Sequence, residues 1–222
     1  WMLFHILEYY LNNMTISYAI TVCNEFKELK RLVPLLNEFI RDEDEMVILF
    51  DKGKGTDQVW EYLQFCLQEY KNVKVKSETF KGHFAEWKNK LNSFCTKDFI
   101  FQIDADEVPH RLLLESLPIV LEKNPNNEVY LVPRVNTVKG LLPEHIEKWR
   151  WNVNNNGWVN WPDYQLRVYK NTKSIYWANK VHETLFGYNT YSPFPKAEQW
   201  CLYHPKTIEK QEKQNNYYDT LI

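Results

Sequence analysis

Three acids close an apolar run in the stretch FIFQIDADEVPH, residues 99–110. Phe99, Ile100, Phe101 and Ile103 read as a buried strand, and Asp104, Asp106 and Glu107 follow at once. Like charges this close repel, so either a positive partner sits beside them or one carboxyl stays protonated. Asp104 and Asp106 are two apart, and on extended backbone such residues project to one side. Two converging carboxylates make a hard oxygen site, suited to Mg²⁺ or Mn²⁺. Magnesium keeps several waters and takes few protein carboxylates, which leaves room for a substrate diphosphate. Taken alone, Asp-x-Asp is more often a solvated turn than a site. The elements around it therefore matter.

Residues 16–23, ISYAITVC, read as a first strand, and Leu29, Leu32, Val33, Leu36, Phe39 and Ile40 follow at helical spacing, with Pro34 expected to kink or restart the helix. MVILF at 46–50 reads as a second strand ending at Asp51, and GKGTD then turns the chain into a helix capped by Thr56 or Asp57. VKVK at 73–76 is polar enough for an edge strand, 84–95 reads as a helix, and 99–103 is strand four. Strands alternating with helices argue for an α/β fold with a mostly parallel central sheet. In such sheets ligands bind at the carboxyl ends of the strands. Here those ends carry Asn24 and Glu25, then Asp51, then Asp104 and Asp106. After residue 109 a helix near 110–123 precedes a strand VYLVPRV. A Trp- and Asn-rich segment and two further strand-like runs, QLRVYK and SIYWANKVHETL, make a less regular half.

The bulk composition narrows the function classes. A net charge of −2 leaves no basic footprint for nucleic acid. Aromatic residues reach 16%, more than a core of this size needs, so some rings are candidates to line a ligand site. Cys23, Cys66, Cys95 and Cys201 are widely spaced, which suggests neither a zinc site nor a disulfide framework and makes a reducing compartment the default. WMLFHILEYYLNNM is short, broken by His5 and Glu8, and lacks a basic lead-in, so it reads as neither signal peptide nor membrane span. Residues 1–13 are taken as an N-terminal extension or start-site artefact, and 14–222 as the domain.

Two families share the acidic motif. An apolar strand followed by Asp-x-Asp also resembles haloacid-dehalogenase-like phosphatases, with Asp104 as nucleophile, but there the motif ends the first strand, and a later Gly-Asp-x-x-x-Asp is missing here. The ordered set ITVCNE, VILFDKGKGTD, WKNKLNSFCTKDFIFQIDADE, WPDYQLRVYKN and WANKVHETL resembles a family 2 glycosyltransferase of GT-A fold, nearest in look to bacterial lipopolysaccharide-core-type and viral members. The resemblance covers roughly residues 15–205. It implies a single Rossmann-like domain, with a nucleotide-binding half over about 14–108 and an acceptor half over about 109–222.

What the resemblance implies for individual residues is specific. Thr21, Asn24 and Glu25 would hold the nucleoside, Asp51 would accept from the base, and Lys88 and Asn89 would form a basic-Asn pair near the nucleotide. Asp104 would bind ribose and metal, and Asp106 and His204 would complete a Mn²⁺ or Mg²⁺ site, with Lys206 and Lys210 assisting the phosphates. Each has a plainer reading: Asn24 and Glu25 as helix caps, Asp51 as a turn starter, Lys88 as a solvated lysine, His204 as a packed histidine. Inverting transfer needs one base, and two acids compete: Glu183 in VHE, which is preferred, and Asp163 in WPD. Trp149, Trp151, Trp158, Trp161 and Trp177 are candidate sugar platforms, Trp158 and Trp161 first, with Arg167 beside the acceptor. The expected partners are a nucleotide-sugar donor of UDP type and a glycan or glycolipid acceptor. The expected place is cytoplasmic (host cytoplasm for a viral chain), with peripheral membrane association compatible. The remaining alternative is a catalytically silent nucleotide- or carbohydrate-binding protein of the same fold.

Overall fold

The structure, a computed structural model, describes residues 14–219. The extension expected over residues 1–13 lies outside the described residues. Strands β1 (Ile16–Val22), β2 (Glu45–Asp51), β3 (Val73–Glu78) and β4 (Phe99–Asp104) run parallel in the order β4-β1-β2-β3, which puts β3 at the edge as its polar composition implies. Helices α1 (Phe26–Phe39), α2 (Asp57–Glu69) and α3 (Phe84–Asn92) join them. Pro34 does not break α1, which runs through it as one element. Leu29, Leu32, Val33 and Leu36 are fully buried on both sides of the ring, and that burial outweighs the one backbone bond the proline forfeits. Thr56 is the cap of α2, its side chain accepting from the Val59 amide.

The apolar strands are covered on both faces. Tyr18, Ile20, Met46, Ile48 and Phe101 pack with Leu32, Leu36 and Leu63 on one side, while Ala19, Val47, Leu49 and Ile100 pack with Leu91, Tyr169 and Trp177 on the other. This is why the strands read as near-continuous apolar runs.

The second half extends the same sheet. The short β5 (Val108–Pro109) and helix α4 (Arg111–Lys123) lead to β6 (Val129–Val132), β7 (Arg134–Lys139) and helix α5 (Pro143–Trp149). Next come β8 (Gln165–Lys170), β9 (Tyr176–Ala178), β10 (Thr184–Phe186), β11 (Tyr191–Pro193), β12 (Leu202–Thr207) and helix α6 (Ile208–Asp219). β8 pairs antiparallel with β4, so one seven-stranded sheet runs β11-β6-β8-β4-β1-β2-β3 across both halves. Two expected strands divide. VYLVPRV splits at Pro133, which has no N–H for a ladder: β6 stays in the large sheet, and β7 joins the three-stranded sheet β5-β12-β7. SIYWANKVHETL is the β9–β10 hairpin, interrupted where Asn179 and His182 take left-handed backbone (φ 75° and 51°). Among the described residues no helix is long and apolar enough to cross a membrane.

Two buried acids fix the amino-terminal edge of the sheet, and sequence reading overlooked them. Asp44 accepts from the Ile16 amide (2.8 Å) and from Arg41 Nε and Nη2 (2.9 and 2.8 Å). Glu45 accepts from Ser17 Oγ on β1 (2.6 Å), from Thr96 N and Oγ1 (2.6 and 2.9 Å), and from Lys74 Nζ on β3 (2.5 Å). Burial by itself raises the Glu45 carboxyl; these donors outweigh it and hold it below its ordinary value. A depressed folded value means that the stabilisation is present above the ordinary carboxylate range and is lost as pH falls through the folded value. Glu45→Gln is expected to cost about 1–3 kcal/mol at neutral pH. Urea melts of both proteins at about pH 7 and about pH 3 should show the gap shrinking in acid; an undiminished gap would assign the loss to packing instead of charge.

Candidate active site

A cavity of about 1090 Å³ opens at the carboxyl ends of β1, β2 and β4. Thr21, Asn24, Glu25, Asp51, Asp104 and Asp106 line its strand side, and Arg134, Asp163, Glu183 and His204 line it from the second half. Thr21 stands in register with both Leu49 and Asp104, which levels the three strand ends. Glu25 shapes the first of them, its Oε2 accepting from the Cys23 and Asn24 amides (2.8 and 3.0 Å). Asp51 Oδ1 accepts from the Gly53 and Phe80 amides (2.9 and 3.0 Å), whereas Oδ2 lies 3.9 Å from the Cys23 thiol. One oxygen of Asp51 thus holds the turn, and the other is turned toward Cys23.

Asp104 and Asp106 do not sit together on extended backbone as expected. β4 ends at Asp104, and Ala105 and Asp106 form a turn closed by the Glu107 amide donating to the Asp104 carbonyl (2.8 Å) and the Asp104 amide donating to Glu107 Oε2 (3.1 Å). The turn sends the two carboxylates to different partners. Asp104 accepts from Gln102 Nε2 (3.0 Å) and Arg167 Nη2 (2.5 Å). Glu107, with no exposure, accepts from Arg167 Nη2 (2.6 Å) and Arg134 Nη1 (3.0 Å). Arg134 also donates through Nε to Asp163 Oδ2 (2.9 Å). Burial alone would raise Asp104, but the charges of Arg167 and Lys88 outweigh it and hold its carboxyl well below the usual range. Arg167, expected on the acceptor side as a support of the site, is 3% exposed and donates to Gln102, Asp104 and Glu107.

Asp106 lies 3.5 Å from His204 Nε2 and 3.3 Å from Lys210 Nζ. Burial raises its carboxyl, and the imidazole with the nearby lysines overrides that and keeps it low. Asn136 sets the histidine's orientation. Its amide nitrogen donates to Asp163 Oδ2 (2.7 Å), so its oxygen, 2.7 Å from His204 Nδ1, accepts the proton there. Nε2 then faces Asp106 either as a charged N–H donor or as a lone pair that needs a cation between the two. Among the described residues no group of three or more His, Cys, Asp or Glu side chains converges to hold an ion. Asp106 and His204 nevertheless offer a carboxylate oxygen and an imidazole nitrogen to one cavity, which Asp104 also lines. That fits a cation that takes few protein ligands and completes its shell with diphosphate and water.

The two candidate bases are held differently. Asp163, with positive φ (34°), accepts from Arg134, Asn136 and Gln165. Glu183 follows the left-handed His182 and pairs through Oε1 with Lys88 Nζ at 2.5 Å. Asn89, expected at the nucleotide, does not line the cavity: its amide takes the Trp177 backbone at both ends, donating to the carbonyl (2.8 Å) and accepting from the N–H (2.9 Å). Trp158 and Trp161 do not line it either; they pack edge to face, 4.9 Å between ring centres. Trp149, Trp151 and Trp177 do line it.

Sequence reading missed Arg134, Asn136 and Gln102. Gln102 is a polar residue set into an apolar strand, a signal that asks for a buried partner, whereas Arg134 and Asn136 lie in the mixed strand RVNTVK, which carries no such signal. Lys206 lines the cavity, whereas Lys210 does not and pairs with Glu28 and Asp106 (3.3 Å each); Lys206 is pushed down by burial, and its Nζ donates to Gln214 Oε1 (2.5 Å).

The family model for glycosyl transferase family 2 matches residues 17–191. Two curated relatives are the SPbeta prophage-derived glycosyltransferase SunS of Bacillus subtilis (strain 168) and the glycosyltransferase SunS of Bacillus phage SPbeta. Each is 24% identical over 193 residues, covering 86% of this chain and 39% of its own length. The chain thus spans well under half the length of the curated relatives it matches. Among solved structures, S. aureus TarS 1–349 in complex with UDP aligns with a TM-score of 0.62 at 17% identity, over 86% of this chain and 60% of that one. The same protein in complex with UDP-GlcNAc aligns at 0.62 and 18%, over 87% and 59%. At such identity the likeness concerns the fold, which is that of GT-A glycosyltransferases. The family match runs from the second residue of β1 to the first of β11, through both halves of the sheet, and the chain belongs to glycosyl transferase family 2.

Proposed function

We propose that this chain transfers a sugar from a UDP-linked donor to a hydroxyl of a glycan or lipid-linked acceptor, with inversion at the anomeric carbon. One observation carries the reading: a single cavity holds nucleotide-suited strand ends on one wall and a carboxylate, Glu183, on the other. Asp51 Oδ2 would accept the imide N–H of uracil, since Oδ1 already holds the turn. In this reading Thr21, Asn24 and Glu25 would flank the nucleoside, Lys206 would meet the diphosphate from the cavity wall, and Lys210 would act through Asp106. The UDP and UDP-GlcNAc complexes of TarS support a uridine donor. Asp104, Asp106 and His204 would hold Mn²⁺ or Mg²⁺, which when bound offsets charge on the departing diphosphate.

The acceptor oxygen forms a bond to the anomeric carbon as the bond from that carbon to the diphosphate oxygen breaks. Glu183 takes the hydroxyl proton, and the nucleoside diphosphate leaves with the bonding pair. One base suffices, and no covalent intermediate forms. Asp163 is the weaker candidate because its carboxylate is already engaged by three side chains. It positions Arg134 and, through Asn136, His204. Trp149 and Trp151, whose rings lie 4.6 Å apart at the cavity wall, offer the apolar faces on which a sugar ring stacks.

Glu183→Gln is expected to lower kcat for sugar release or transfer by about 10²–10⁴-fold while UDP affinity stays near wild type. A UDP-release assay across UDP-, GDP- and dTDP-sugars measures it; retained kcat would move the base elsewhere, Asp163 first. In calorimetry with UDP, Mn²⁺ should tighten binding to the wild type and have little effect on Asp106→Asn. A wild type indifferent to Mn²⁺ would remove the cation from the account, and UDP binding without turnover of any donor would favour a silent binding module.

A further inference from the structure

Helix α3 and the β9–β10 hairpin are joined at three points. The Phe84 amide donates to the Lys180 carbonyl (3.0 Å). Asn89 clamps the Trp177 backbone with a reciprocal pair of bonds. Lys88 lies over the Trp177 ring, 4.5 Å from its centre, and reaches 2.5 Å from Glu183 Oε1. Lys88 is 7% exposed, so its ammonium is held between ring and carboxylate instead of standing in solvent. The hairpin between these points carries two left-handed non-glycine residues, Asn179 and His182. Such backbone persists only where surrounding contacts impose it.

We propose that Lys88 and Asn89 are positioning residues for the Glu183 carboxylate and not ligands of the donor diphosphate. The inference rests on the reading of Glu183 as the base. Asn89 fixes where the hairpin begins, Trp177 supports the Lys88 stem, and Lys88 holds Oε1 so that Oε2 faces the acceptor hydroxyl. An ion pair in a site this closed is strong enough to select one carboxylate orientation, and placement errors of about 1 Å cost about 10²-fold in rate.

Four variants test this: Lys88→Met, Lys88→Arg, Glu183→Gln and the double Lys88→Met/Glu183→Gln. Two readouts are needed, the UDP dissociation constant with Mn²⁺ by calorimetry, and kcat at saturating donor for the best of UDP-glucose, UDP-galactose and UDP-GlcNAc. Lys88→Met should lower kcat by up to about 10²-fold with UDP affinity unchanged, and Lys88→Arg should recover part of the loss. The double variant should be no worse than Glu183→Gln alone, because groups acting as one unit are not additive. If Lys88→Met instead weakens UDP by about tenfold or more and keeps kcat, Lys88 is a diphosphate ligand and the inference fails. Losses that multiply in the double variant also overturn it. Asn89→Ala adds a readout free of activity: hydrogen exchange should rise across residues 177–184 while UDP affinity holds, and unchanged exchange would remove Asn89 from the device. A wild type that neither binds UDP nor turns over a donor would sink the parent reading, a result distinct from any of these.

Discussion

Glu107 is a carboxylate with no exposure, and two arginines from different strands meet on it. Removing one member of such a buried set typically costs about 3–5 kcal/mol, because the partner left behind keeps its charge without compensation. Arg167, on β8, also holds Asp104 at the end of β4, and Arg134, on β7, also holds Asp163. One acid therefore ties the end of β4 to β8 in the large sheet and to β7 in the three-stranded sheet. The like-charge problem posed by residues 104–107 is met inside the fold by guanidinium groups, whose fixed fork suits several carboxylates at once. The cavity-facing acid Asp106 is served differently, by an imidazole and a lysine.

That division bears on chemistry. Arg167 is buried and Arg134 partly so, and both are engaged by carboxylates, so they hold geometry. Lys206 at the cavity wall, and Lys210 on Asp106, are single charges on flexible stems, which exchange partners more readily than an arginine fork does. Under the proposed function, the rigid network sets where the donor's diphosphate can lie, and the hairpin bearing Glu183 sets where the acceptor must approach. Left-handed non-glycine backbone occurs at Asn160 and at Asp163 itself, and at Asn179 and His182 just before Glu183, which places backbone strain where orientation matters most.

Much of the first half was legible from its pattern. Strands one, two and four are apolar on both faces, VKVK is polar enough for an edge, and acids gather at one end of the sheet; each follows from alternation, burial and where α/β sheets bind ligands. The second half was less legible because its contacts are long-range. Nothing local in VYLVPRV says that its two parts enter different sheets, although Pro133 marks the break. Nothing in WKNK says that Asn89 turns to a backbone some ninety residues on. Trp158 and Trp161 were favoured for their place beside Asp163, yet they pack on each other while Trp149 and Trp151 reach the cavity. The i, i+2 argument for Asp104 and Asp106 failed because the strand ends at the first of them.

The most direct test is a crystal structure grown with UDP and Mn²⁺. The account predicts uracil against Asp51, the ion between Asp106, His204 and the diphosphate, and Glu183 across the cavity from the diphosphate with Lys88 still on its Oε1. A nucleotide bound elsewhere, with Asp106 keeping only His204 and Lys210 as partners, would contradict it.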